Sequence, residues 1–157
     1  MAYTLNRIDK NIINILQRDG RISYAQLARE VGLSTTPCIE RVRRLEREGV
    51  IRGFSARIDP AAVGAGLVVY VQIRLNHTSG DIFASFREAA LSLDEIQECH
   101  LVSGSFDYLA KVRVADMAAY REFLGETLLK LPGVQESTSI VVMEEVKETL
   151  AVPVRYD

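Results

Sequence analysis

Cysteine is scarce in this chain of 157 residues: Cys38 and Cys99 are the two present, with no CxxC and no Cys/His spacing around either. That excludes a disulfide framework or a zinc site, so no metal is expected, and both thiols read as small buried packers in a reducing compartment. Cys99 and His100 are adjacent, but neighbours on a strand point to opposite faces, which is poor metal-ligand geometry. Long apolar runs are also missing. With no stretch of about 18 apolar residues and no charged-then-apolar leader, neither membrane insertion nor export is indicated, and the expected location is the cytoplasm. There is no GxSxG, P-loop, Rossmann glycine pattern or HExxH, and the scattered Asp, His and Ser form no nucleophile-base-orienter set. An enzyme is therefore not expected, and neither catalytic residues nor a cofactor can be assigned. His77 lies in a polar stretch that reads as a loop, and His100 as a packed or hydrogen-bonded side chain.

A large net charge is absent too, with 19 Lys and Arg against 21 Asp and Glu, but the near-neutral total hides a division. Residues 1–58 hold 11 basic and 6 acidic side chains, while residues 59–157 hold 8 and 15. A basic N-terminal module can approach a phosphate backbone and release counterions; an acidic C-terminal module would be repelled by it. The length allows two small domains and the asymmetry favours them.

What is present begins with Ser23 to Arg47, which reads as two short helices joined by a tight turn. Ser23 and Gln26 have capping-box spacing, Ala25, Leu27, Ala28 and Val31 make an apolar stripe, and Gly32 can stop the helix with Leu33 plugging the corner. Ser34 is placed to cap the next helix, with Pro37 in its first turn. Wound at about 100° per residue, that helix gathers Cys38, Ile39, Val42 and Leu45 on one side. The other side carries Thr36, Pro37, Glu40, Arg43, Arg44 and Arg47. Hydroxyls near the N-terminus, including Ser34 and Thr35, suit base edges in a major groove, and arginines further along suit phosphates. Upstream, Asn6 can cap a helix carrying Ile8, Ile12, Ile15 and Leu16, which Gly20 would end, completing a three-helix core. The first domain is thus placed at residues 1–50, as a helix-turn-helix, winged-helix-like module that binds double-stranded DNA.

Residues 51–66 read as a hinge and linker. Val50 to Ile58 alternates loosely as a strand, Asp59-Pro60 turns the chain, and Gly64 and Gly66 introduce the second module. From residue 67 to 143 the pattern is strand (67–75), helix (81–91), strand (96–103), strand (108–114), helix from an Asp116 cap through Leu131, strand (134–142). That order, βαββαβ, is the ferredoxin-like arrangement, with both helices on one face of an antiparallel sheet, so the fold class is α+β. The other sheet face, holding Val69, Val71 and Ile73 or their alternates, has no third layer to cover it. A second copy is the economical cover, and two-fold association suits half-sites about 34 Å apart. Residues 144–157 are assigned to a C-terminal tail with a solvated acidic edge.

The stretches ERVRRLEREGVI, STTPC, ECHLVSGSFDY, YREFLGETLLKLPGV and VVMEEVKE together resemble the Lrp/AsnC transcription regulators, the leucine-responsive members in particular, from about Leu5 to Lys147. The resemblance implies a nucleoid-associated regulator that dimerises through its C-terminal domain, assembles dimers into octamers or related rings, and binds a small amino acid between subunits. It also implies effector residues. Ser103-Gly104-Ser105-Phe106-Asp107 matches the glycine-containing loop that holds the amino acid's charged groups, and Leu101, Asp107, Met117, Val141 and Val142 stand where leucine response is set. Ile140 departs from the pattern, since leucine-sensing relatives carry a tyrosine there. The chemistry is reasonable: an α-amino group needs an anion, a carboxylate needs N–H donors, and an apolar side chain needs apolar neighbours. The competing expectation is an architectural protein that wraps or bends DNA with little sequence specificity and no small-molecule response. Glu40 on the reading face argues for base recognition, because a pure phosphate binder has no use for an acid there.

Overall fold

The computed structural model describes residues 4–76 and 81–156, so His77 lies outside the described residues. The chain divides into two units, residues 1–57 together with 147–157, and residues 58–146.

The first unit is built on α1 (Arg7–Leu16), α2 (Tyr24–Glu30) and α3 (Thr35–Arg47). Helix α1 starts with a complete capping box: Asp9 N donates to Asn6 Oδ1 at 2.9 Å and Asn6 N donates to Asp9 Oδ2 at 3.2 Å. Ser23 Oγ accepts from Gln26 N at 3.2 Å, but the Gln26 side chain turns to Glu30 Oε1 at 3.4 Å instead of closing the expected box. Gly32, at φ +70°, ends α2 as anticipated, with Leu33 N donating to Ala28 O and Gly32 N to Arg29 O, a Schellman pair. Gly20 does not end α1. The helix stops at Leu16, and a Cβ on Gly20 would meet the Phe54 ring at 3.3 Å, so the glycine makes room for that ring. Ser34 sits at the N-cap of α3 without a side-chain cap bond, and Pro37 at N3 has no N–H to offer it.

Ile12, Leu27, Ala28, Val31, Cys38, Val42 and Leu45 form the core of this unit, with Ile8, Ile15, Leu16 and Leu33 packed against it. The expected strand over Val50–Ile58 is not formed. Among the described residues its backbone has no strand to pair with, and Phe54 and Ile58 stand exposed.

The second unit carries β1 (Leu67–Leu75), α4 (Ile82–Leu91), β2 (Ile96–Leu101), β3 (Tyr108–Val114), α5 (Met117–Glu126) and β4 (Val134–Val141). The strands form one antiparallel sheet in the order β2-β3-β1-β4, the ferredoxin-like topology. Asp116 Oδ1 caps α5 through the N–H groups of Ala118 and Ala119, both at 2.9 Å. That helix does not run to Leu131; it tightens into a three-residue turn at Leu128–Lys130, whose i, i+3 eclipse points both Leu128 and Leu131 into the core.

Val69, Val71, Ile73 and Leu75 face the helices, packing with Phe86, Ala90, Tyr120 and Phe123, and Phe86 lies 4.5 Å from the Tyr108 ring. The open face therefore takes their alternates, Val68, Tyr70, Gln72 and Arg74, which stand beside Leu109, Lys111 and Arg113. Of the two sets the sequence allowed for this face, it is the alternates, and β3 adds two cations to them. Lys111 lies 3.7 Å from Glu98, and Arg113 holds Glu145 at 3.0 Å and Gln97 at 2.9 Å, so the buried cations of β3 are paired within the unit. Cys38 is buried as expected, but Cys99 is exposed because β2 is an edge strand.

Candidate DNA interface and effector site

On α3 the buried set is Cys38, Val42 and Leu45, which fixes the opposite side outward. Ser34, Thr35, Thr36, Pro37, Glu40, Arg43 and Arg47 are all exposed, and Pro37, Glu40, Arg41, Arg43, Arg44 and Arg47 line an open groove along the helix. The Ser34 hydroxyl makes no cap bond, and this leaves it turned to solvent at the helix N-terminus, where N–H groups and dipole favour an anionic partner. Arg47 makes a loose 4.0 Å contact with neighbouring Glu48.

Arg44 is held differently. Its Nη2 lies 3.7 Å from Asp9 Oδ2, and Arg41 Nη1 donates to Asp9 Oδ1 at 2.9 Å. The Asp9 side chain is fully buried, so the capping acid of α1 also anchors two arginines one turn apart on α3. Arg41 was absent from the expected interface. The signal was available: an acid at N3 of an apolar helix needs a cation if the helix packs on its neighbour, and Arg41 and Arg44 share the flank that α1 covers.

In the second unit, the β2–β3 loop is tied to β1. Asp107 Oδ2 accepts from Leu75 N at 2.7 Å, Asp107 N donates to Ile73 O at 2.9 Å, and Arg74 Nη2 donates to Ser105 O at 2.6 Å. Gly104 takes φ +140°, open to glycine and strained for any other residue, and leaves the loop backbone exposed. The concavity beside it, lined by Gln72, Arg74, Ser105, Phe106, Glu136, Ser137 and Thr138, measures about 40 Å³, far too small for an amino acid.

Leu101, Ser103, Gly104, Ser105 and Asp107 gather at the end of the sheet where β1 finishes, while Met117, Ile140, Val141 and Val142 lie at the end where β1 begins. Asp107 precedes Tyr108, which pairs with Ile73, whereas Ile140 pairs with Tyr70, Val141 with Val69, and Val142 N donates to Val68 O, so the two groups are offset along β1 by about 10–20 Å at roughly 3.3 Å per residue. One chain does not bring them together. Leu101, Met117, Ile140 and Val141 are all exposed apolar side chains. A larger cavity of about 350 Å³ runs along the β2 edge, lined by Arg87, Leu91, Cys99, Leu101 and Tyr108 among others, and takes in none of the loop residues. Burial raises the Tyr108 hydroxyl above its usual pKa, against the Arg87 guanidinium, which lowers it. His100 pairs with Glu98 at 3.3 Å, and among the described residues no cluster of His, Cys, Asp or Glu is arranged to hold a metal. No helix among them is long and apolar enough to cross a membrane.

Residues 5–52 match the winged helix-turn-helix DNA-binding family, and residues 68–152 match the Lrp/AsnC ligand binding domain. The chain belongs to the Lrp/AsnC family. It is 59% identical over 145 residues to the leucine-responsive regulatory proteins of Escherichia coli K12 and Klebsiella pneumoniae, covering 92% of this chain and 88% of each relative. Among solved structures, a transcriptional regulator of Neisseria meningitidis in complex with L-Met superposes with a TM-score of 0.91 at 32% identity, covering 96% of this chain and 97% of that one. An AsnC family regulator from Agrobacterium tumefaciens gives 0.90 at 38% identity, covering 95% and 97%. This Lrp/AsnC protein is accordingly a DNA-binding transcription regulator with a ligand-binding domain, and not an enzyme.

Proposed function

We propose that this regulator reads specific DNA sites with α3 and responds to a small apolar amino acid, leucine or one of similar shape, bound between subunits. The observation that carries this reading is the separation of the two effector groups. The charged-group loop around Gly104 and Asp107 and the apolar set Met117, Ile140, Val141 and Val142 sit toward opposite ends of one sheet, with Gly104, Met117, Ile140 and Val141 exposed and Asp107 and Val142 half-buried. Apposing one end of a sheet to the other end of a neighbouring copy forms the pocket that neither end makes alone, so ligand binding and assembly are one equilibrium. Homodimers arranged in an octamer or related ring supply that apposition and present several helix-turn-helix units to arrayed sites in the cytoplasm. The Neisseria relative bound to L-Met supports an amino acid as the ligand. On the DNA side, Ser34, Thr35, Thr36, Pro37 and Glu40 meet base edges while Arg43, Arg44 and Arg47 follow the phosphates or reach a base.

Light scattering with each of the twenty amino acids, repeated with a fluorescent promoter duplex, tests the proposal. A few apolar amino acids should change the particle mass or the DNA affinity. Silence towards all of them, with salt-sensitive and sequence-indifferent binding, would replace it with the architectural reading.

A further inference from the structure

Asn11 and Asn14 of α1 and Gln17 at its C-cap recur at three-residue intervals, a polar stripe beside the apolar flank of Ile8, Ile12 and Ile15. Residues 152–156 lie along that stripe. The Gln17 side-chain amide pairs with both backbone groups of Val152: Nε2 donates to Val152 O at 3.0 Å, and Val152 N donates to Oε1 at 2.6 Å. This is the exchange a neighbouring strand would make, supplied here by a side chain. Four residues on, the Tyr156 hydroxyl donates to Asn11 Oδ1 at 2.7 Å and accepts from Asn14 Nδ2 at 2.8 Å, using both its donor and an acceptor site. Pro153 holds Val152 extended, the conformation its pairing with Gln17 needs, and so lowers the entropy lost on docking.

The placement of this segment in the chain gives it consequence. Residues 58–146 form the sheet unit, and residues 147–157 belong with the helical one, so the chain passes between the two units twice, at 57–58 and at 146–147. The first, at 57–58, is permanent in its effect. The second acts only while residues 152–156 stay docked, and the docking helix is also the one whose Asp9 anchors Arg41 and Arg44 of α3.

We propose that the Asn11–Asn14–Gln17 stripe is a docking surface for residues 152–156 of this chain, forming a releasable latch through which the ligand-binding unit restrains the DNA-binding unit. Its effect on the amino-acid response rests on the function proposed above; the docking itself does not. With the latch open, the DNA-binding unit keeps its fold and its groove but follows the ligand-binding unit through one connection, so a ligand-driven change reaches α3 less fully.

The test uses the full chain and two variants, Gln17→Ala/Tyr156→Phe, which removes the four hydrogen bonds, and Pro153→Gly, which loosens the segment without touching α1. Amide exchange of residues 150–156 reads the docking. The native protein should protect the Val152 amide, and both variants should lower that protection, the double variant by about tenfold or more. Equal and unprotected exchange in all three proteins overturns the docking. Promoter affinity with and without an active amino acid reads the coupling: ligand-free affinity should stay within about twofold, while the ligand-induced change shrinks in step with lost protection. A full ligand response in the unlatched double variant overturns the latch as a coupling device. Failure of the native protein to respond to any amino acid instead removes the function proposed above, with the docking still decided by exchange.

Discussion

The two units solve the problem of making a site in opposite ways. In the helical unit the groups proposed to face DNA sit on one helix and its N-cap, Ser34 together with residues of α3. In the sheet unit the expected effector groups are divided between the two halves of β1, and a single chain leaves them about 10–20 Å apart at roughly 3.3 Å per residue. On the function proposed above, the first site is complete on folding and the second awaits a neighbour. A regulator gains from that difference, since a site completed by assembly makes ligand binding and oligomeric state thermodynamically reciprocal.

The completeness of the helical unit is most severely tested at Asp9. Its carboxylate closes the α1 capping box and holds Arg41 and Arg44 while fully buried, whereas the Arg41 side chain keeps 27% of its exposure. Removing one partner of a buried pair strands the other, and the partial exposure of Arg41 softens the penalty. Asp9→Ala should cost about 3 kcal/mol, read as a lower urea midpoint at unchanged slope. A loss below about 1 kcal/mol would fit only an exposed pair, and α3 would then be oriented by its apolar face alone.

In the sheet unit the corresponding test is Asp107→Asn. The amide keeps an acceptor for Leu75 N, which Asp107 Oδ2 now satisfies at 2.7 Å, so the loop is preserved and only the charge is lost. If that charge holds an α-amino group, the amino-acid concentration giving half response should rise about tenfold to a hundredfold, the worth of a charged hydrogen bond. Ligand-free DNA binding should barely move. An unchanged half-response would show that Asp107 serves the hairpin and nothing else.

The same contrast explains what was legible in the sequence. Caps, helix stops and apolar periodicity are local, so Asn6, Ser23, Gly32 and the buried side of α3 declare themselves within a few residues, and the βαββαβ order follows from alternating periods. Pairings across the chain are not local. Nothing near Asp9 names Arg41, nothing near Gln17 names Val152, and the run Leu67 to Val71 is apolar at every position, so periodicity alone does not say which residues face the helices. The charges on β3 do, because Lys111 and Arg113 fall on the open face with Val68 and Tyr70. Ser34 shows a local rule failing: a good capping residue makes no cap bond, and Pro37 removes one of the two donors it could serve. The effector groups were named through resemblance, and their separation in one chain was invisible until the register of the sheet was known.

The smallest expected effects separate the arginines within α3 itself. Arg43 and Arg47 are exposed, whereas Arg44 keeps 39% of its side-chain exposure and points one nitrogen at Asp9. Arg47→Ala should weaken binding to all DNA sequences alike and reduce the slope of log affinity against log salt by about 1, the signature of one lost phosphate contact. Arg44→Ala should instead cost about 1–3 kcal/mol on the specific site and relax preference at one base pair, if its remaining nitrogens reach a base. Its bond to Asp9 sharpens that comparison: an arginine already oriented by a buried acid gives up less side-chain freedom on meeting DNA than a free one does. Competition binding against a panel of single-base variants reads the difference. Equal loss on every sequence would make Arg44 another phosphate contact, and retention of full operator affinity would leave it only the structural task of holding α3 against α1.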